Sequence, residues 1–222
     1  MKLVGANSSN IQEMLYMRII AGSKRGMKIL PPKGFDTRPI IDRVKESLFS
    51  VLYKYDVIEN GIVADIFAGT GSLGLEALSR GARWCTFIER DRKTAAILEQ
   101  NIDKGRFVAE SKVISANAFS IGAGDASANI GSELYDLVFV DPPFPMTYDT
   151  GPKSRLAGLL NILTDQVKDD AIVTVRTNKR ATLDREYGRF EIVDRRDWGK
   201  MAVTILQAKP RDTKLAFTEE NV

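Results

Sequence analysis

No histidine occurs among the 222 residues. This removes the Ser-His-Asp and Cys-His nucleophile systems, whose base is an imidazole. It also argues against a protein-held zinc ion, since histidine and cysteine are that metal's main ligands. Any catalysis falls to carboxylates, backbone groups, lysine, tyrosine or positioning alone. Cysteine is scarce as well: Cys85 is the only one. That excludes an intramolecular disulfide framework and points to a cytosolic chain. Cys85 lies in the apolar run from Trp84 to Ile88 and reads as a packing residue. No apolar stretch reaches the ~18 residues of a membrane helix. The N-terminus turns polar at Asn7, too soon for a signal peptide. A cytoplasmic protein away from membranes is expected. Net charge is a mild +3, and 44% hydrophobic with 27% charged residues suits one large domain, alone or with an appendage.

What is present is organised around residues 62–74. Ile62 to Phe67 is a short apolar-rich run of the kind that makes a buried parallel strand. Gly69, Gly71 and Gly74 follow in G-x-G-x-x-G spacing, and Leu73, Leu75, Ala77 and Leu78 open a helical pattern. A strand-to-helix turn this tight needs positive φ, and glycine lets a ligand come close. Strand, glycine turn and helix open a nucleotide-binding α/β unit. Asp65 narrows the ligand. A carboxylate just before the glycines is badly placed to receive a pyrophosphate and well placed to receive a cation. S-adenosylmethionine carries an ammonium and a sulfonium and no phosphate, so it is favoured over NAD.

Alternation continues beyond the turn. Strands are expected at Ile62 to Phe67, Trp84 to Glu89, Ser111 to Ala116, Tyr135 to Val140, Ala171 to Arg176, Phe190 to Arg195 and Met201 to Ala208. Helices are expected at Arg92 to Ile102 and Ser154 to Val167. The pattern predicts a doubly wound, mostly parallel, seven-stranded Rossmann-like sheet closed by an antiparallel hairpin around Asp197-Trp198-Gly199. Ahead of it, residues 17–56 are expected to form a basic hairpin and a helix. Residues 57–208 make the main domain, and 1–16 and 209–222 make frayed tails. Met17 offers an alternative start. Residues 17–54 hold nine basic residues against three acidic ones, a net +6. Clustered cations of this kind suit a polyanion.

Three further stretches carry chemistry. Glu89 ends the second strand 18 positions after Gly71, the place of a ribose-hydroxyl partner. Asn117-Ala118 follows the third strand, where an adenine edge would lie, although an Asx turn explains Asn117 nearly as well. Asp141-Pro142-Pro143-Phe144 follows the fourth strand, expected beside the first at the switch point. Two prolines remove two backbone donors and leave carbonyl acceptors. Asp141 adds a carboxylate and Phe144 a flat apolar face. Acceptors plus a stacking surface suit a planar amino group on an aromatic base. Such an amine is a poor nucleophile because its lone pair spreads into the ring. Acceptors at Asp141 and the Pro142 carbonyl would orient that lone pair and stabilise the positive charge that grows on nitrogen.

Arg18-Ile19-Ile20-Ala21-Gly22, Arg25-Gly26, Arg38-Pro39, Asp42-Arg43-Val44-Lys45-Glu46, the run Phe67 to Ala77 and Asp141 to Phe144 resemble the RsmD family. That family methylates N2 of a guanine in small-subunit (16S) ribosomal RNA with S-adenosylmethionine. The resemblance runs from about Met17 to Ala208. It implies that Asp65 and the turn through Phe67, Ala68, Gly69, Thr70 and Gly71 hold the cofactor, with Glu89 at its ribose and Asn117 with Ala118 at its adenine. Asp141, Pro142, Pro143 and Phe144 would hold the guanine. Arg18, Lys24, Arg25, Arg38, Arg43 and Lys45 would meet RNA or shape the entrance. Ile40 and Ile41 stand where the family usually has threonine after Arg-Pro, and the loop Gly122 to Gly131 looks like an addition. The resemblance implies a monomer whose partner is ribosomal RNA, and the small net charge favours an assembled small-subunit particle as substrate. Alternatives left open are an adenine-N6 methyltransferase on DNA or RNA, a non-catalytic RNA-binding assembly factor and, against Asp65, an NAD oxidoreductase.

Overall fold

The computed structural model describes residues 17–32, 42–125, 130, 131 and 133–211. Five helices are described: α1 (Asp42–Leu52), α2 (Ser72–Ser79), α3 (Arg92–Gly105), α4 (Ala118–Ile121) and α5 (Arg155–Leu163). The strands are β1 (Ile62–Ile66), β2 (Trp84–Ile88), β3 (Ser111–Ile114), β4 (Tyr135–Val140), β5 (Val167–Asn178), β6 (Glu186–Tyr187), β7 (Phe190–Trp198) and β8 (Met201–Ala208). They form one sheet in the order β3-β2-β1-β4-β5-β8-β7-β6. The first five strands in that order are parallel and the last three are antiparallel.

The expected mostly parallel α/β sheet is therefore present, with eight strands where seven were expected. The extra one, β6, is two residues long, too short for alternation to reveal. β5 starts at Val167, where the expected helix was to end, and runs on past Arg176 to Asn178, while that helix stops at Leu163.

β1 is buried along its whole length, as a central parallel strand must be. Its alternate residues feed two cores. Val63 joins Leu75, Phe87, Phe139 and Ile205 on one face. Ile62, Ala64 and Ile66 join Leu156, Leu160 and Val173 on the other. The apolar residues of the N-terminal segment (Met17, Ile19, Ile29, Val44, Leu48 and Phe49) belong to the first core. That segment does pair as a hairpin, through an antiparallel bridge between Arg18 and Lys28 and the bonds Ile19 N–H to Met27 O and Ile29 N–H to Met17 O.

The hairpin is fastened to the sheet's helices. Ile20 and Ala21 donate their N–H groups to the Glu76 carboxylate of α2, at 2.7 and 3.0 Å. Gly22 is left-handed and pressed against the end of α2, where a Cβ would stand 1.7 Å from the Ser79 carbonyl oxygen. The second arm is held by Asn101 of α3, which accepts from Leu30 N–H and donates to the Thr70 carbonyl in the glycine turn.

Candidate active site

β1 and β4 are neighbours whose connections leave in opposite directions, so their carboxyl ends form a switch point where α/β proteins bind ligands. Ile66 pairs with Val140, and Asp141 N–H points to the Ile66 carbonyl at 3.4 Å. The glycine turn after β1 and the Asp141–Phe144 ledge after β4 therefore share one edge. Phe144 begins a single 3₁₀ turn, Phe144–Thr147.

The N–H groups of the three glycines in the turn are already engaged. Gly69 N–H donates to Glu89 Oε2 at 2.9 Å, Gly71 N–H to the Ala68 carbonyl at 2.8 Å and Gly74 N–H to Asp65 Oδ2 at 2.8 Å. A pyrophosphate site needs such donors free. Three carboxylates, from Asp65, Glu89 and Asp141, gather here instead. Burial pushes the Asp65 carboxyl up to about 8, and the Asp141 and Glu89 charges add to that effect, against hydrogen bonds from Gly74 and Leu73. Burial also raises Asp141, with Arg176 opposing the rise.

The glycines divide by task. At Gly71 a Cβ would meet Leu98 at 2.5 Å, and at Gly74 it would meet Phe87 at 2.3 Å. At these two, helix packing alone already requires glycine. At Gly69, with φ +56°, a Cβ would meet nothing within 4 Å. Phe67 is also left-handed at φ 67°, uncommon for an aromatic residue. Its ring meets Phe119 edge-on at 5.0 Å, and Arg155 lies 4.2 Å over the Phe119 ring. Asn117 caps α4 by accepting from Phe119 N–H at 3.2 Å, so the Asx turn weighed from sequence is formed. Ala118 beside it is buried.

Arg176 was named only as the end of a strand and belongs to this site. Its Nε donates to Asp141 Oδ1, and its guanidinium carbon lies 5.3 Å from the centre of the Phe144 ring. Both side chains of the pair are largely enclosed, at 14% and 17% exposure. A usable signal was in the sequence: one charged residue closing the apolar run Ala171 to Val175, on a strand that pairs in parallel with the one before Asp141.

The expected RNA-contacting set is split. Lys45 is 1% exposed, and its ammonium donates to the Arg18 carbonyl at 2.6 Å and to Ser72 Oγ at 3.2 Å, with Glu76 at 3.5 Å. It is not available to a phosphate, and that expectation is corrected: the charge is a buried tie between α1 and α2. Helical periodicity marked Val44 and Leu48 as the inner face without showing that Lys45 is enclosed beside them. Arg18 and Arg43 are exposed near the start of α1. Arg18 is paired with Asp42 at 2.7 Å. Lys24 and Arg25 sit at the far end of α2, where Lys24 N–H bonds to Ser79 Oγ, about 11 Å along the helix from its start. They do not shape the entrance. Arg38 lies outside the described residues.

Glycine turn, engaged N–H groups, acidic edge and Asp-Pro-Pro-Phe ledge define an α/β protein of methyltransferase-like fold. Solved structures agree. An RNA methyltransferase from Salinibacter ruber in complex with S-adenosyl-L-homocysteine matches at TM-score 0.55 and 16% identity, over 80% of this chain and 97% of that one. The yhhF protein of Escherichia coli matches at TM-score 0.69 and 31% identity, over 87% and 98%. The family described as Conserved hypothetical protein 95 matches residues 17–207. Ribosomal RNA small subunit methyltransferase D of Escherichia coli K12 is 36% identical over 163 residues, 72% of this chain and 74% of that protein. The Haemophilus influenzae protein of the same name is 36% identical over 73% and 79%. The chain belongs to this family, the RsmD family resembled by its motifs.

Proposed function

We propose that the protein methylates the exocyclic N2 of a guanine in small-subunit ribosomal RNA, with S-adenosylmethionine as donor. The observation that carries this is the shared edge: a cation-receiving turn after β1 beside an amine-receiving ledge after β4. The residues fit the cofactor. Open space faces Gly69, and the surrounding carboxylates suit an ammonium and a sulfonium. Asp65 and the turn from Phe67 to Gly71 would hold its amino-acid end. Both Glu89 oxygens accept N–H groups, from Gly69 and Asp91, yet each keeps a lone pair for a ribose hydroxyl. Asn117 and Ala118 would flank the adenine. When bound, the cofactor supplies an electrophilic methyl carbon.

The remaining work belongs to the ledge. Asp141 and the Pro142 carbonyl accept the two N–H bonds of the guanine amine, Pro143 stiffens the loop and Phe144 stacks on the ring. Asp141 then takes the departing proton or passes it to water. Arg176 opposes the upward push that burial gives the Asp141 carboxyl. A paired base cannot reach this edge, so the target guanine is unstacked or flipped out. We expect a monomer acting on the assembled small subunit.

The test is labelled methyl transfer to naked small-subunit RNA and to subunit particles, followed by nucleoside mass spectrometry and position mapping. N2-methylguanosine at one position is expected, with faster transfer to particles. N6-methyladenosine would replace the proposed base with adenine, and no transfer to either substrate would remove the enzymatic reading.

A further inference from the structure

The carboxyl end of β5 carries a second feature on the same edge as Asp141. Asn178, Lys179, Arg180 and Lys200 line a cavity of about 270 Å³. Lys179, Arg180 and Lys200 are exposed, and no carboxylate pairs with them among the described residues. Three like charges around one hollow repel one another unless an anion joins them.

The hollow is built and braced. Lys179 N–H donates to the Lys200 carbonyl at 3.0 Å, closing the end of the β5–β8 pair. Arg180 N–H donates to Asn178 Oδ1 at 3.0 Å. Arg195 clamps the turn from β7, donating to the Ala181 and Lys179 carbonyls at 3.0 and 2.9 Å. Its position relative to the ledge is set by strand geometry. Arg176 and Asn178 are two residues apart on β5, so they share a face and lie ~7 Å from each other. Arg176 touches Asp141 and Phe144. Asn178 lines the hollow.

We propose that this hollow binds a backbone phosphate of the RNA beside the target nucleotide and so sets which base enters the ledge. The proposal rests on the RNA reading above and adds a contact surface to it. The cations supply attraction without sequence information, so the site acts as a register point. It stands on the β5–β8 side of the sheet, apart from the basic residues of the N-terminal hairpin.

The test is the double variant Lys179→Ala/Lys200→Ala, titrated with naked small-subunit RNA across a salt series. Expected are roughly tenfold weaker binding and a log–log salt slope shallower by about one to two, with KM raised more than kcat is lowered. Unchanged S-adenosylmethionine binding by calorimetry shows that the variant is folded. Should it fail to fold, Arg180→Ala alone, which removes an exposed guanidinium, must still make the slope shallower. Lys168→Ala, at the opposite end of β5, serves as the control and leaves the slope as it was. An unchanged slope in the double variant overturns the proposal, as does weakened binding to particles with naked RNA unaffected. A wild-type protein that neither binds nor methylates RNA sinks the functional reading itself, a result separable from both.

Discussion

Asp65 holds two states in tension. Neutral, it sits comfortably in a buried place; ionised, it suits a cation. Its folded value of about 8 stands above the ordinary 3.8. The stability it contributes as a neutral acid is therefore full below about pH 4 and is lost as pH rises through about 8. Asp65→Asn should flatten the fall in melting temperature between about pH 4 and pH 8. A cationic ligand favours the ionised form, so binding should release a proton and tighten as pH approaches 8. Calorimetry in buffers of different ionisation enthalpy measures that release, and identical heats would refute it. Asp141→Ala should lower kcat by about 10²- to 10³-fold while circular dichroism and cofactor affinity stay as in wild type. Arg176 opposes the upward push on Asp141. Arg176→Gln should therefore move the acid limb of the kcat/KM profile to higher pH, with Arg176→Lys moving it less. Asp65 is the neighbouring carboxyl coupled to Asp141, so the profile of Asp65→Asn must be run beside it.

Within the β1–α2 unit, three glycines that look equivalent in sequence have different surroundings. Gly71→Ala drives a methyl to 2.5 Å from Leu98 at φ +89°. It should cost about 1–3 kcal/mol from overpacking, with about 1 kcal/mol more for the left-handed backbone. Gly69→Ala meets no neighbour; its stability cost is the backbone share alone, about 1 kcal/mol. Its methyl instead stands in the space assigned to the cofactor. Urea denaturation should rank Gly71→Ala as the weaker fold, while cofactor titration of the folded proteins should rank Gly69→Ala as the poorer binder. Equal cofactor affinity for Gly69→Ala and wild type would move the cofactor away from this turn.

Across the whole molecule, Glu76 joins parts that are distant in the chain. Fully buried, it accepts from Ile20 N–H, Ala21 N–H and Arg80 Nε and lies 3.5 Å from the Lys45 ammonium. Burial lowers Lys45 from its usual value, and the Glu76 charge opposes that. Removing one partner leaves an uncompensated buried charge, which costs about 3–5 kcal/mol. Glu76→Ala should therefore loosen the hairpin and α1 together, seen as a lower denaturation midpoint and faster amide exchange at Ile20 and Ala21. Lys45→Ala should lower the midpoint too, yet leave the salt slope of RNA binding unchanged, which separates a buried tie from a phosphate contact.

The sequence by itself determined the order of the seven longer strands, the glycine turn, the Asp141–Phe144 ledge and the family. These are local patterns: a period of two or 3.6, a fixed spacing, a proline pair. It also supported the preference for a cationic cofactor through Asp65. Only the tertiary structure decided which cations are free. Lys45 and Arg43 are two positions apart on one helix, but one is enclosed and the other faces solvent, because the hairpin folds back over α1 and α2. Likewise Arg176 joins Asp141 across 35 residues of chain only because β5 pairs in parallel with β4. Charge and spacing can be read along the chain, whereas burial and pairing depend on what the rest of the chain packs against them.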